Sequence, residues 1–217
     1  MKKARYICLE GTEGVGKTTQ TQILYDYLRG QGYSVLLTKE PGTPRLPLTM
    51  LLRQVMLDNQ YDDQLTKPAR EFLSQAIRSI HLEKLVAPAL NEYDFIIQDR
   101  GILSGYAYGE GCGNKFDNLY SMACQNVDSA DELYGNLSVQ PERIYDLVVY
   151  LRGNSLKGLQ RAKEAKQEYA TGDAMESRGD TSIDRMVSRF NNVTIEVDGK
   201  SIEQVHHEIL ASLGMGK

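Results

Sequence analysis

The stretch Tyr6-Ile7-Cys8-Leu9-Glu10-Gly11-Thr12-Glu13-Gly14-Val15-Gly16-Lys17-Thr18-Thr19-Gln20 decides the fold. A short apolar run, Tyr6–Leu9, passes at once into a segment of three glycines, a lysine and hydroxyl side chains. Gly11 to Thr18 fits the pattern G-x-x-x-x-G-K-S/T and stands where that pattern requires, between a buried strand and a helix. The residue types follow from the chemistry. A polyphosphate is wrapped by backbone N–H groups, and only glycine gives the dihedrals and the close approach that this demands. The free amides and positive end of the next helix attract the same anion. Lys17 is the candidate cation for the β- and γ-phosphates, and the Thr18 hydroxyl is a candidate magnesium ligand. Gly11, Thr12, Glu13, Gly14, Val15, Gly16 and Thr19 complete a candidate ATP cradle.

Working outward, four further runs of Val, Ile, Leu, Tyr or Phe read as strands: Ser34–Thr38, Phe95–Gln98, Leu147–Leu151 and Val193–Val197. The first four of the five are continuous rather than alternating, as strands buried on both faces are. Helical patterns lie between them. Thr18–Arg29 ends near Gly30 and Gly32. Pro68–Glu92 is the longest, with Thr66 as its cap and Pro88 as a kink or break. Ser155–Ala170 follows the fourth strand, and Ser201–Leu213 carries Ser201 and Gln204 at capping-box spacing. Strands alternating with helices predict one α/β domain over residues 1–217, with a parallel sheet covered on both faces. Gly109–Val139 and Ala165–Asp180 are polar and weakly periodic, the character of insertions or lids.

Composition narrows the class. At 217 residues, 41% apolar and 25% charged, the chain is ordinary globular protein. A net charge of −4 argues against a generic binder of nucleic acid or membrane surfaces. Cys8, Cys112 and Cys124 are odd in number and form no CxxC pair, which fits a reducing compartment and offers no zinc site. There is no apolar core for a signal peptide and no apolar run of membrane-spanning length, so the expectation is a cytoplasmic soluble protein.

A phosphate loop calls for an acid at the end of another strand, and Phe95-Ile96-Ile97-Gln98-Asp99 supplies one, with Arg100 adding a cation to the same crevice. Asn114-Lys115-Phe116-Asp117 spells the guanine-reading N-K-x-D, but no hydrophobic strand precedes it, and it reads as a solvated loop. A motor or regulatory NTPase would need coupling domains for which the chain has little room.

With these residues in place, the sequence resembles the thymidylate kinase family of nucleoside monophosphate kinases. The resemblance runs from "LEGTEGVGKTTQ" through "TKEPGTP", "LRQVMLD", "AIRSIHLEKLVAPAL" and "QDRGILSGYAYG" to "LVVYLRGNSLKGLQRA", in the family's order. It implies a three-layer phosphate-loop fold with a five-stranded parallel sheet in the order 2-3-1-4-5. It also implies transfer from ATP, with Mg2+, to a deoxynucleoside monophosphate, dTMP first among them, and a homodimer. By resemblance Glu13 approaches the acceptor's sugar, and Glu40 lies near the transferring phosphate and its metal. Arg53 and Arg100 hold the acceptor's phosphate, with Ser104 beside them. Arg78 bonds the thymine ring, and Tyr108 packs under the deoxyribose.

The departures from the family pattern are specific. Its Arg-Glu-Pro is Lys39-Glu40-Pro41 here, the ring after Asp-Arg is Gly101, and the glutamine after Ala-Tyr is Gly109. The acid ending the fourth strand is Arg152, and the phenylalanine that stacks on the base is Ser74. Gly14 leaves no arginine in the phosphate loop, so a lid near 160–180 must supply the catalytic cation, from Arg161, Lys163, Lys166 or Arg178. Ser74 and Arg78 are about 40° apart on their helix and face one pocket. The alternatives are a kinase for another or C5-modified pyrimidine deoxynucleotide, and a catalytically weak nucleotide-binding protein.

Overall fold

The structure, a computed structural model, describes residues 3–111, 113–115, 143–154, 160 and 183–216. Five strands form one parallel sheet: β1 (Arg5–Gly11), β2 (Val35–Lys39), β3 (Phe95–Asp99), β4 (Leu147–Arg152) and β5 (Asn192–Glu196). Their spatial order is β2-β3-β1-β4-β5, the order expected from the resemblance. The inner strands β1, β3 and β4 are buried along nearly their whole length, whereas the edge strands β2 and β5 keep three buried positions and one.

Alternate residues of the strands feed two cores. Tyr6, Cys8, Leu36, Ile96, Val148 and Tyr150 pack on one face. Ile7, Leu9, Val35, Ile97, Val149 and Leu151 pack on the other, against Leu24 and Leu28 of α1 (Lys17–Gly30). The other α-helices among the described residues are α2 (Pro47–Leu57), α3 (Lys67–His81), α4 (Ala87–Glu92), α5 (Ile102–Gly111) and α6 (Ile202–Ser212). Both predicted caps form. The Thr66 hydroxyl accepts from the Ala69 amide, and Ser201 and Gln204 bond each other reciprocally.

Three expectations need correction. The helix read over Pro68–Glu92 is divided by a wider turn, Leu82–Val86, before α4. Pro88 has no N–H for the Lys84 carbonyl and its ring crowds that oxygen, which a wider turn relieves. The helices α2 and α5 were not read from the pattern. In α5, Gly105, Gly109 and Gly111 depress helix propensity, so tertiary packing rather than local preference forms it. The latter part of α5 also falls in the tract read as an insertion.

The register fixes the site. Leu9 lies opposite Asp99 and Gly11 opposite Leu151, so the loop after β1 and the acid of β3 emerge at the same carboxyl edge. Gly11 has φ 147°, and a Cβ there would sit 2.4 Å from the Leu151 carbonyl oxygen. No other residue fits where β1 turns into the loop.

Candidate active site

Lys17 opens α1, and its ammonium donates to the Thr12 carbonyl inside the loop. It is buried, and burial, followed by the charge of Arg100, lowers its pKa to about 7 against the opposing pull of Glu13, Asp99 and Glu10. The Thr18 hydroxyl donates to Asp99 Oδ2 at 2.6 Å, while Asp99 Oδ1 is buried without a hydrogen-bond partner among the described residues. A hydroxyl and a carboxylate with a spare oxygen suit Mg2+, which takes one or two protein oxygens and completes its shell with phosphate and water. The described residues contain no group of three or more His, Cys, Asp or Glu that would hold a metal without such help.

Arg100 follows β3 with φ 64°, a left-handed conformation that costs a non-glycine residue roughly 1–3 kcal/mol. Its amide donates to the Leu9 carbonyl at 3.0 Å, and the turn throws its guanidinium back across the phosphate loop. Arg100 Nη2 reaches Glu13 Oε1 at 2.5 Å and Nη1 reaches Ser104 Oγ at 3.3 Å. The Tyr108 hydroxyl donates to the same Glu13 oxygen at 2.6 Å, with the guanidinium 5.6 Å from the Tyr108 ring centre. Burial alone would raise the Glu13 pKa, but the Arg100 and Lys17 charges outweigh it and hold the carboxyl below its usual range.

Glu10 was missed. Fully buried, it accepts from the amides of Gly101 at 2.8 Å and Ser104 at 3.2 Å, and from the Ser104 hydroxyl at 2.6 Å. It therefore takes the free donors at the start of α5 and fixes that helix against the loop. Burial raises its pKa against the opposing Ser104 hydrogen bonds. The signal was present: like Asp99, Glu10 is an acid at a strand end, but the sequence reading ends the strand at Leu9, two residues before Gly11.

A cavity of about 130 Å³ opens beside the loop. Glu13, Glu40, Arg53, Ser74, Arg78, Arg100, Ser104 and Tyr108, eight of the sequence-predicted site residues, all line it. Arg53 Nη1 donates to the Pro41 carbonyl at 2.8 Å. Both oxygens of Glu40 are engaged. Arg78 Nε reaches one at 3.0 Å, and His81 Nδ1 lies 3.1 Å from the other. Burial acts to raise Glu40, but Arg78 and then His81 win and lower it. Gln75 Oε1 accepts from Arg78 Nη1 at 3.1 Å, which leaves Nη2 over α5 at Gly105. A Cβ on Gly105 would fall 2.3 Å from that nitrogen. Gln75 and His81 had no readable signal, because each acts through a partner on another element or a neighbouring turn.

Several departures acquire structural partners. A Cβ on Gly101 would lie 2.1 Å from the Tyr145 hydroxyl, so Tyr145 occupies the space a ring at 101 would need. Arg152 pairs with Glu196 at the exposed ends of β4 and β5, with Nε to Oε1 at 2.6 Å. Ser74 lies on the cavity wall, whereas Phe72 is exposed and does not line it. Asn114 was read as part of a solvated loop. It lines the cavity with its Nδ2 buried, because the chain folds back after α5, where the Asn114 amide donates to the Gly109 carbonyl. The lid candidates Arg161, Lys163, Lys166 and Arg178 lie outside the described residues.

A phosphate loop whose Glu13 also borders an arginine-lined cavity defines a nucleotide kinase of the phosphate-loop class. The family model for thymidylate kinase matches residues 9–209, and the chain belongs to that family. It is 31% identical over 211 residues to a protein named thymidylate kinase from Helicobacter pylori strain HPAG1, covering 95% of this chain and 96% of that one. It is 27% identical over 215 residues to the thymidylate kinase of Francisella tularensis subsp. novicida strain U112, covering 95% and 94%. The chain is accordingly a nucleoside monophosphate kinase.

Two predictions follow from this geometry. An anion at Lys17 restores its charge, so MgATP binding should take up protons increasingly as pH rises through about 7, approaching one per site near pH 8. Calorimetry in buffers of differing ionisation heat measures this, and the uptake should vanish in Lys17→Met. Separately, Gly105→Ala should push the Arg78 guanidinium from its seat, raising the Michaelis constant of the nucleotide acceptor at least tenfold while that of ATP changes little. Equal effects on both substrates would show that Arg78 does not serve the acceptor.

Proposed function

We propose that the protein transfers the γ-phosphoryl group of ATP to dTMP, giving ADP and dTDP. The observation that carries this is the shared wall: Glu13 of the phosphate loop and Arg100 at the end of β3 also border the acceptor cavity. An acceptor phosphate placed on Arg100 therefore meets the last phosphate held by the loop. Moving a phosphoryl group between two polyanions needs placement and converging positive charge more than covalent help.

In this assignment Lys17 takes the β- and γ-phosphate oxygens, and the amides of Gly11 to Thr19 cradle the rest of the chain. Mg2+ held by Thr18 and Asp99 would neutralise charge on the phosphates. Arg100 and Arg53 hold the acceptor's phosphate, for which a planar guanidinium gives paired hydrogen bonds. Tyr108, fixed by Glu13, closes the space beside the sugar and disfavours a 2′-hydroxyl. Arg78 offers Nη2 to an acceptor oxygen at C4 of the base, so thymine and uracil suit the pocket better than cytosine. Glu40, bonded through both oxygens, serves as a positioning residue that aims Arg78. One of the lid cations Arg161, Lys163, Lys166 or Arg178 completes the charge. Among the described residues no helix is long and apolar enough to cross a membrane. A cytoplasmic homodimer is part of the proposal, supported by the exposed Leu48 and Leu51 on α2 and Phe72 on the adjoining α3.

An ADP-release assay over dTMP, dUMP, dCMP and UMP tests the assignment. It should show turnover with the first two, poor turnover with the last two, and loss of turnover by orders of magnitude in a folded Lys17→Ala variant. Comparable rates with UMP and dTMP would remove the role given to Tyr108, and near-normal turnover in the variant would remove the mechanism.

A further inference from the structure

Lys67, Glu71, Ser74 and Arg78 stand at i, i+4, i+7 and i+11 of α3 and all line the acceptor cavity. At a rise of about 1.5 Å per residue the stripe extends about 16 Å. Ser74 lies about 6 Å and Glu71 about 10 Å beyond Arg78 along the helix axis. A pyrimidine read by Arg78 therefore fills only the inner part of this wall. The outer part is polar. Glu71 is buried, with Oε1 accepting from Gln75 Nε2 at 2.6 Å. Asn114, on the segment after α5, also lines the cavity, and its amide nitrogen is buried without a hydrogen-bond partner among the described residues. Ser74 leaves open the space that an aromatic side chain at this position would fill over the face of the base.

We propose that the preferred acceptor is a 2′-deoxyuridine monophosphate bearing a hydroxyalkyl group at C5, hydroxymethyl in its simplest form; this rests on the pyrimidine kinase assignment above. A methyl group lies in the ring plane and satisfies none of these polar atoms. A methylene carbon lets its oxygen leave the ring plane toward Ser74. A hydroxyl then both donates and accepts, so it matches the Glu71 carboxyl and the Asn114 amide together. An ammonium would face Glu71 well but would set its protons against the Asn114 donor. A carboxylate would accept from Asn114 and be repelled by an ionised Glu71, although Lys67, exposed at the rim, would favour it. The carboxyl and aminomethyl analogues are thus the discriminating competitors.

The test is kcat/KM at saturating MgATP for 5-hydroxymethyl-dUMP, dTMP, 5-carboxy-dUMP and 5-aminomethyl-dUMP. The wild-type protein should favour the hydroxymethyl compound over dTMP several-fold and over both charged analogues. Asn114→Ala and Ser74→Phe should each lower the hydroxymethyl-to-dTMP ratio by about 2- to 10-fold, the value of one hydrogen bond. Because the ratio is internal to each protein, a variant of reduced overall activity still reports it. A wild-type preference for dTMP, or for either charged analogue, would overturn the proposal while leaving the kinase assignment standing. A ratio unchanged in both variants would do the same. Turnover of none of the four would overturn both.

Discussion

The buried ion pair between Arg100 and Glu13 joins the two halves of the site. One partner belongs to the phosphate loop and the other to the turn after β3, elements brought together only by the parallel register of β1 and β3. Buried ion pairs often add little net stability, because desolvation offsets attraction, yet they impose a single arrangement on the groups they link. Here the arrangement has a chemical consequence. The guanidinium that balances Glu13 in the free protein is, in the proposed mechanism, also the group that takes the acceptor's phosphate, and Tyr108 bonds the same carboxylate oxygen. The left-handed backbone at Arg100 is held against its cost by the Leu9 carbonyl, the Gly101 and Ser104 amides on Glu10, and this pair.

A second buried network sets the base-recognition end. Glu40 draws Arg78 and His81 together at the end of β2, and the His81 ring also lies 2.8 Å from the Thr38 hydroxyl. Burial works against the Arg78 charge, but Glu40 prevails and holds it protonated. An arginine committed on two sides presents its remaining edge in one direction, which is what the base-reading role proposed for Arg78 requires of a flexible side chain. The lack of a Cβ at Gly105 is what lets that edge lie against α5. Phe72 does not supply an aromatic face in place of Ser74, so in the proposed assignment a base is held by hydrogen bonds around the ring more than by stacking.

How much of this was legible follows from the range of the interactions. The phosphate loop, Asp99 and Arg100 could be read because their chemistry is encoded in adjacent residues between a strand and a helix. The sheet order came with the family resemblance. Arg78 and Ser74 were legible as one helix face. Gln75 and His81 were not, since each acts by holding the side chain of another site residue, and Glu10, though an acid at a strand end, takes its role from Ser104, 94 residues away. The helix α5 was hidden because its glycines serve close packing at the expense of helix propensity. Asn114 was dismissed because only the folded chain shows the loop returning to the cavity.

The proposed transfer requires the donor and acceptor nucleotides to occupy one continuous site across the Glu13–Arg100 pair. A dinucleoside pentaphosphate that joins adenosine to thymidine tests this most directly, by calorimetric titration and by competition with each substrate. One molecule should bind per chain, in a single event, and should exclude both MgATP and dTMP competitively. Binding of two molecules per chain, or exclusion of only one substrate, would contradict a shared site.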